Sequence, residues 1–536
     1  MGNSGTGPKR YSMGILSDKE SSMNTTVSIT RFAPIALLLS LCLPAPAAED
    51  AAAHPALAAS GVKGGLIVLL GCGDGRSAVA LRSGEAFLVQ ALDTSAEKVA
   101  AARRHIASSG ACGAVTARIC DGRRLPFVDN TVNVLVADDP FAVPAEEMLR
   151  VLCPGGVLCT RQGQKWNTRA KPRPDTLDEW THYQHDPQGT MVGRDKVVGP
   201  PRRIQWMGGP KWLRNHDFMS SMNAMVSSGG RIFYIIDEGL RAHVFLPARW
   251  TLIARDAFNG TILWKRPLKD WHPANWPLKS GPGDLPRRLV AVGERVFVTL
   301  GYRQPVTALD AATGQTLRTY DQTRSTDEIL FSDGVLYLAV EPDKPPVEYR
   351  AQGASYGEIG RANSGWGWSR QKPERVVLAV DADSGKTLWQ HKDRVAPLTL
   401  TVGADRVFFF DGERMIALDR ASGQQRWASD SPAKVAIRPA TGAAARVVCR
   451  DNVLVICHST QTAAFSAKDG KLLWQGRTLP SGHHCPNDLF VIDNLVWSAH
   501  TGVPQKQGTH FVGLDLHTGQ AKIGRASCRE RVYHPV

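Results

Sequence analysis

Two hydrophobic periodicities divide the chain. Between residues 62 and 165, continuous apolar runs such as Leu66–Leu70, Ala86–Leu92 and Val132–Ala137 alternate with stretches of helical spacing such as Ala96–Ile106. Unbroken apolar runs suit strands buried on both faces, and their alternation with helices predicts a parallel α/β sheet. From 226 to 522 the pattern changes to short strand-like runs, Met225–Ile236, Arg288–Leu300 and Leu398–Phe410 among them, punctuated by Gly and Asp. That predicts an all-β body. Residues 166–225 follow neither period and are rich in Trp, His, Pro and Gly, which reads as an ordered connector.

The second half is an internal repeat. The stretch Leu252–Trp264, with Ala254-Arg255-Asp256 before Asn259-Gly260 and Trp264 at its end, recurs as Ala308–Leu317 and then in copies ending at Trp389, Trp427, Trp474 and Gln520. The turn glycines are Gly260, Gly314, Gly385, Gly423, Gly470 and Gly519, so six strand–turn–strand units are visible. In the main motif the Asp caps the turn, the Gly takes positive φ, and the terminal Trp offers an apolar face to the next sheet, which makes it a core residue. Repeated four-stranded sheets set radially leave only short edges exposed, which predicts a β-propeller. The motif resembles the pyrroloquinoline-quinone-type propeller repeat of quinoprotein dehydrogenases and of noncatalytic scaffold propellers such as the outer-membrane assembly lipoprotein. That resemblance implies seven or eight blades, hence a natural chain longer than the six visible units. Its enzymatic members carry a vicinal disulfide beside the quinone, and this chain has no Cys-Cys pair, which argues against pyrroloquinoline quinone as a cofactor.

The first half carries a different chemistry. The strand Leu66–Leu70 runs into Gly71-Cys72-Gly73-Asp74-Gly75 and a helical stretch, and the strand Ala86–Leu92 ends in Asp93. Glycines there let the backbone turn tightly against a ligand, and an acidic residue after the second strand is placed to accept hydrogen bonds from ribose hydroxyls. Asp121-Gly122, then Leu125–Asn130, then Arg150–Gly156 follow in order. The series resembles class I S-adenosylmethionine-dependent methyltransferases. By that resemblance Gly71, Gly73, Gly75, Asp93 and Asp121 line the pocket of S-adenosylmethionine. Three departures stand out: Leu70 where the family has an acidic residue, Asn133 where it has Asp, and no clear final strand pair after Leu158.

Residues 33–43 form an apolar run behind Arg31, followed by Ala45-Pro46-Ala47-Ala48, the layout of a signal peptide at about 31–48. Its apolar run is short for a membrane span. A periplasmic or extracellular location follows, with no transmembrane span after cleavage, and with it an objection to methyl transfer, since S-adenosylmethionine is cytosolic. At the other end, Ile523–Val532 resembles a translated sequencing adapter, so 523–536 reads as an artefact of assembly. The organisation is thus 1–48 extension and signal, 62–165 methyltransferase-like domain, 166–225 connector, 226–522 propeller and 523–536 artefact.

Composition narrows the classes further. At 43% hydrophobic and 21% charged residues the chain is neither disordered nor a multi-span membrane protein. The formal charge of +14 is spread without a basic run, which gives loose attraction to polyanions and no specific nucleic-acid site. Ten cysteines less Cys42 of the signal segment and Cys528 of the adapter-like tail leave eight without a CxxC, which read as isolated buried thiols, with one or two disulfides open if the protein is exported.

In the connector, His182 and His185 lie three apart and could join His216 or Asp217 as metal ligands; alternatively these residues fix a long ordered loop onto the propeller, and no metal is assigned. The inserts 268–287 (Trp271, His272, Trp276) and 342–375 (Tyr349, Tyr356, Trp366, Trp368) either pack across the propeller face or bind a sugar or peptide, and on the second reading a protein or polysaccharide partner on that face is expected. No catalytic residue can be named. Three readings remain: a secreted scaffold or binding protein with a degenerate methyltransferase-like domain, an active methyltransferase recruiting substrate through its propeller, and a quinoprotein oxidoreductase.

Overall fold

The computed structural model describes residues 54–527 apart from 139–140, 197–198, 200–202, 214–221, 243–245, 270, 272–284, 344–373, 433–444, 459–460, 478–488 and 499–509. The signal segment, His216, Asp217, His272, Trp276 and the aromatic residues of the 342–375 insert lie outside the described residues.

The first part is an α/β sheet: α1 (Pro55–Ser60), β1 (Gly65–Leu70), α2 (Arg76–Ala80), β2 (Phe87–Asp93), α3 (Ala96–Ser108), β3 (Val115–Ile119), β4 (Val132–Ala137), α4 (Ala145–Val151), β5 (Leu152–Gln162) and β6 (Lys165–Ala170). The strand order is β3-β2-β1-β4-β5-β6, parallel as far as β5, with β6 folding back antiparallel on β5. The apolar runs become the central strands: β4 is buried at every position. Because β6 is exposed along most of its length, it lacks the apolar signal of the inner strands, and the sheet extends beyond the boundary its pattern suggests. It occupies the edge where a final strand pair was missing from the sequence pattern.

Residues 222–527 form an all-β propeller, with six four-stranded antiparallel sheets among the described residues. Their first strands are Met222–Ser228, Leu289–Val292, Thr326–Ser332, Thr401–Val402, Arg446–Arg450 and Phe490–Ile492. Each first strand contacts the first strand of the next sheet, so these lie innermost and the sheets follow chain order around the axis. The fourth strands, which include Ile262–Pro267, Thr316–Tyr320, Thr387–Asp393, Gln425–Asp430 and Leu472–Arg477, are outermost.

The repeat motif explains the ring. Asp310 Oδ1 accepts from the Ala312 and Thr313 amides and Asp419 Oδ1 from those of Ala421 and Ser422, tightening each turn, and the following glycines sit at φ near +70°. On the fourth strand Trp264, Trp389, Trp427 and Trp474 each stand opposite the Ala of the Ala-x-Asp or equivalent strand: Ala254, Ala379, Ala417 and Ala464. Each indole then crosses to the next sheet and donates to a turn carbonyl, Trp264 to Ala311 at 3.0 Å, Trp389 to Arg420 at 2.9 Å, Trp427 to Ala467 at 3.2 Å and Trp474 to Leu516 at 2.8 Å. The ring lies so close to the turn glycine that a Cβ on Gly423 would fall 2.5 Å from Trp389. In the second sheet Tyr320 serves, its hydroxyl donating to the Ala382 carbonyl at 2.6 Å.

Candidate functional site

The glycine loop leaves the C-terminal end of β1, Asp93 ends β2, and Asp121 follows β3, so the order β3-β2-β1 brings the three predicted segments to one edge of the sheet, next to the point where strand order reverses. Gly71, Gly73 and Gly75 all have positive φ, of 87°, 50° and 92°. They differ in purpose. A Cβ on Gly75 would meet the Ala102 backbone at 2.8 Å, so that glycine lets α2 pack on α3, whereas one on Gly73 would meet nothing within 4 Å, which leaves its face open for a ligand.

The carboxylates are committed differently from the ribose-facing arrangement. Asp93 has no exposed surface, and its two oxygens accept from the loop amides of Cys72 at 3.1 Å and Ser95 at 3.0 Å. Asp121 is exposed, yet Oδ1 takes both the Arg123 and Arg124 amides at 2.8 Å, and those bonds hold its pKa below the usual carboxylate range. The Cys72 thiol beside Asp93 is pushed up to about 12 by burial and by Asp93, which disfavours the thiolate. Among the described residues Cys72, Cys112, Cys120, Cys153, Cys159 and Cys449 are free thiols, and burial likewise raises Cys153 and Cys449 to about 12.

Asn133, one of the departures, bonds the α/β sheet to the first repeat turn of the propeller. It sits near the start of β4, at the opposite end of the sheet from the glycine loop, and faces the first repeat turn of the propeller. Its amide nitrogen donates to Asp256 Oδ2 at 2.7 Å, while its oxygen accepts from Asn259 Nδ2 at 2.7 Å and from the Leu66 amide at 2.8 Å. Asn259 Nδ2 also reaches the Thr131 carbonyl at 2.8 Å. An aspartate at 133 would set a second carboxylate against Asp256, whose pKa is already raised by burial. Asn259, where the other turns carry Thr, Ser or Asp, completes the match. Sequence reading flagged Asn133 as a departure but had no means of pairing it with residues over a hundred positions away. A cavity of about 490 Å³ opens beside this contact, lined by Lys63, Gly155, Arg173, Arg231 and Asp256.

The connector is threaded along the inner strands. Backbone or ring hydrogen bonds join Trp180 to Ser227, Thr181 to Ala291, His182 to Phe331, Pro187 to Val402 and Gln188 to Cys449, one for each of the first five sheets. His182 is buried and accepts the Phe331 amide on Nε2 at 3.0 Å, which leaves Nδ1–H to donate to Thr181 Oγ1 at 2.7 Å; burial lowers its pKa to about 3 and keeps it neutral. His185 lies between two carboxylates, Asp178 at 2.7 Å on Nε2 and Asp186 at 3.0 Å on Nδ1. Burial opposes its charge, but the two carboxylates win and raise its pKa. The ring nitrogens of both histidines are therefore taken by protein groups, and among the described residues no cluster of His, Cys, Asp and Glu is arranged to hold a metal. Deeper in, Arg287 donates to Glu328 at 3.0 Å, to the Leu400 carbonyl at 2.7 Å and to Gln184. This buried polar centre was not legible in advance, because its members lie far apart in the chain.

Pro342 at the start of the second predicted insert and Val376 just after it line a cavity of about 650 Å³ between the second and third sheets, with Arg303, Gln304, Gln322, Arg324 and Gln390. Trp271 of the first insert is fully buried, against Trp250 and under Arg288. It is a packing residue. No described helix is long and apolar enough to cross a membrane.

Comparison with known proteins agrees with both halves. Residues 373–531 match the family described as outer membrane protein assembly factor BamB, and residues 67–156 match a methyltransferase domain family. No curated protein matches the chain. Among solved structures, BamB from Moraxella catarrhalis is similar at 15% identity over 58% of this chain and 74% of its own, with a TM-score of 0.35. A SAM-dependent methyltransferase from Aquifex aeolicus is similar at 24% identity over 20% of this chain, with a TM-score of 0.19. The chain spans 65% of that enzyme's length.

Proposed function

We propose that the protein is an exported binding or scaffold protein, in which the propeller holds the partner and the methyltransferase-like sheet is retained as a structural module. The carrying observation is the sealing of Asp93: with no exposed surface and both oxygens bonded to loop amides, it braces the glycine loop instead of facing a ribose. The docking geometry supports the same reading. The propeller's first turn meets the sheet at the N-terminal ends of β1 and β4, so the ligand edge lies at the far end from that contact, and a partner held by the propeller gains no direct approach to it through the docked surface.

Partner binding fits the cavity between the second and third sheets, whose arginine and glutamine side chains offer planar donors to a polysaccharide or a polar peptide. A quinone-dependent reaction is not supported: the vicinal cysteine pair is absent from the sequence, and Gln184, Arg287 and Glu328 occupy the buried centre with one another.

Methyl transfer is the second reading, favoured by the open face of Gly73. If S-adenosylmethionine binds, Gly71, Gly73 and Gly75 would cradle it, with Asp93 and Asp121 bracing the loops around it. Titration calorimetry of S-adenosylmethionine and its demethylated product into the chain from residue 49 decides between them. The scaffold reading expects no heat. Micromolar binding that Asp93→Asn weakens at least tenfold would overturn it, with thermal melting used to confirm that the variant is folded.

A further inference from the structure

The cavity of about 490 Å³ where the α/β sheet meets the propeller holds more hydrogen-bond donors than its own walls can satisfy. Those walls come from residues 60–64 before β1, the start of β5, Arg173 of the connector and the turns of the first two propeller sheets. Three cations line it. Lys63 is exposed and makes no ion pair among the described residues. Arg173 bonds to Glu179 through Nη2, and Arg231 bonds to both oxygens of Glu294 through Nη1, at 3.1 and 3.0 Å. A guanidinium carries five N–H donors, so each arginine keeps most of its donors without an acceptor among the described residues. Both reach the Gly229-Gly230 turn of the first sheet: a Cβ on Gly229 would lie 2.9 Å from Arg231 Nη1, and one on Gly230 3.8 Å from Arg173 Nη1 and 3.1 Å from the Phe258 ring.

The carboxylates of the same walls are already engaged. Asp256 gives Oδ1 to the Phe258 and Asn259 amides and Oδ2 to Asn133, and burial pushes it toward its neutral form. Asp310 gives Oδ1 to the Ala312 and Thr313 amides, and Glu294 is taken by Arg231. A molecule in the cavity must therefore bring acceptors, and the strongest acceptors for guanidinium and ammonium groups are oxyanions. Phe258, Leu263 and Val157 add apolar wall beside the cations. A cavity of this volume with a few convergent charged groups against apolar surface suits a small molecule rather than a folded partner.

We propose that this cavity binds a small sugar acid or sugar phosphate, its oxyanion held by Lys63, Arg173 and Arg231 and its ring lying against Phe258. A sugar ring has the required form: one face of C–H groups for the phenyl ring, hydroxyls that accept from the spare N–H donors, and a single charged substituent for the cations. The site is separate from the cavity between the second and third sheets and from the glycine loop, which lies at the other end of the α/β sheet. Lys63 comes from the α/β part, Arg173 from the connector and Arg231 from the propeller, so the ligand is recognised only by the docked arrangement of the two halves.

Titration calorimetry of the full chain with glucuronate, glucose 6-phosphate, glucose and inorganic phosphate tests this. At least one charged sugar is expected to bind about tenfold or more tightly than glucose and than inorganic phosphate, the worth of a hydrogen bond to a charged group. Lys63→Gln and Arg231→Gln are each expected to weaken that binding about tenfold. The first removes a charge that makes no ion pair within the protein, which keeps the fold intact, and thermal melting confirms the second. No binding of either charged sugar overturns the proposal, as does equal binding of glucose or an affinity that neither substitution changes. Inorganic phosphate binding as tightly as the sugars would leave an anion pocket without a sugar site. Binding lost in Arg324→Gln but kept in Lys63→Gln would move the sugar to the cavity between the second and third sheets, and either result sinks the proposal.

Discussion

At the scale of single residues, stability rests on buried polar groups and the partners they keep. Asn133 is the clearest. Replacing it by Asp removes the bond to Asp256 Oδ2 and sets two carboxylates together in a site where burial already raises Asp256. A raised carboxyl pKa favours the folded state at low pH and penalises it as pH rises. Asn133→Asp is therefore expected to cost about 3 kcal/mol at pH 7 and less near pH 5, read from urea denaturation at both values. His185 gives the opposite bracket. Its raised pKa contributes stability below its ordinary 6.5 that fades as pH climbs through the folded value, while the lowered Asp178 and Asp186 contribute above their ordinary 3.8 and fade as pH falls. The stability lost in His185→Asn, a residue that tolerates the φ of 76° found there, is expected to be largest at pH 5–6 and clearly smaller at pH 8. A loss independent of pH would mean the imidazole acts only by packing.

At the scale of elements, the repeat turn and the fourth-strand aromatic are one device. Gly423→Ala places a methyl 2.5 Å from the Trp389 ring at a φ of 71°, so the cost has a conformational and a steric part. It is expected to destabilise by about 3 kcal/mol, and combining it with Trp389→Ala should recover about 1–2 kcal/mol against additivity, since only the steric part depends on the indole. Chemical denaturation of the two single variants and the double variant measures this; strict additivity would mean ring and turn do not communicate. This device was legible in the sequence because Asp, Gly and Trp recur at fixed offsets, and the central α/β strands were legible because they are continuously apolar. The polar edge strand β6 carried no such pattern. Nor did Tyr320, which does a tryptophan's work two positions farther along its strand, opposite Val306 where the tryptophans face alanine. Spacing placed the glycine loop after β1 and Asp93 at the end of β2, whereas the bonds from the Cys72 and Ser95 amides to the Asp93 oxygens depend on loop geometry that spacing does not carry.

At the scale of the molecule, the question is whether two architectures behave as two bodies. A connector lying on the surface would leave them independent, with separate unfolding transitions. Here residues 180–188 bond in turn to the inner strands of five sheets, and the repeat turn of the first sheet is bonded directly into the start of β4. Unfolding the first repeat turn would leave Asn133 and the Thr131 carbonyl of the α/β sheet without their partners Asp256 and Asn259. Scanning calorimetry is therefore expected to give a single endotherm for the α/β sheet and the propeller. His182→Ala deletes the acceptor of the Phe331 amide inside a buried centre and is expected to lower the melting temperature of both halves together, whereas Arg76→Ala, on the exposed side of the glycine loop, should leave it within a degree or two. Two resolved endotherms in the parent chain, with His182→Ala moving only the propeller's, would instead show that the connector serves one body alone, and the methyltransferase-like sheet would then be free to act on its own.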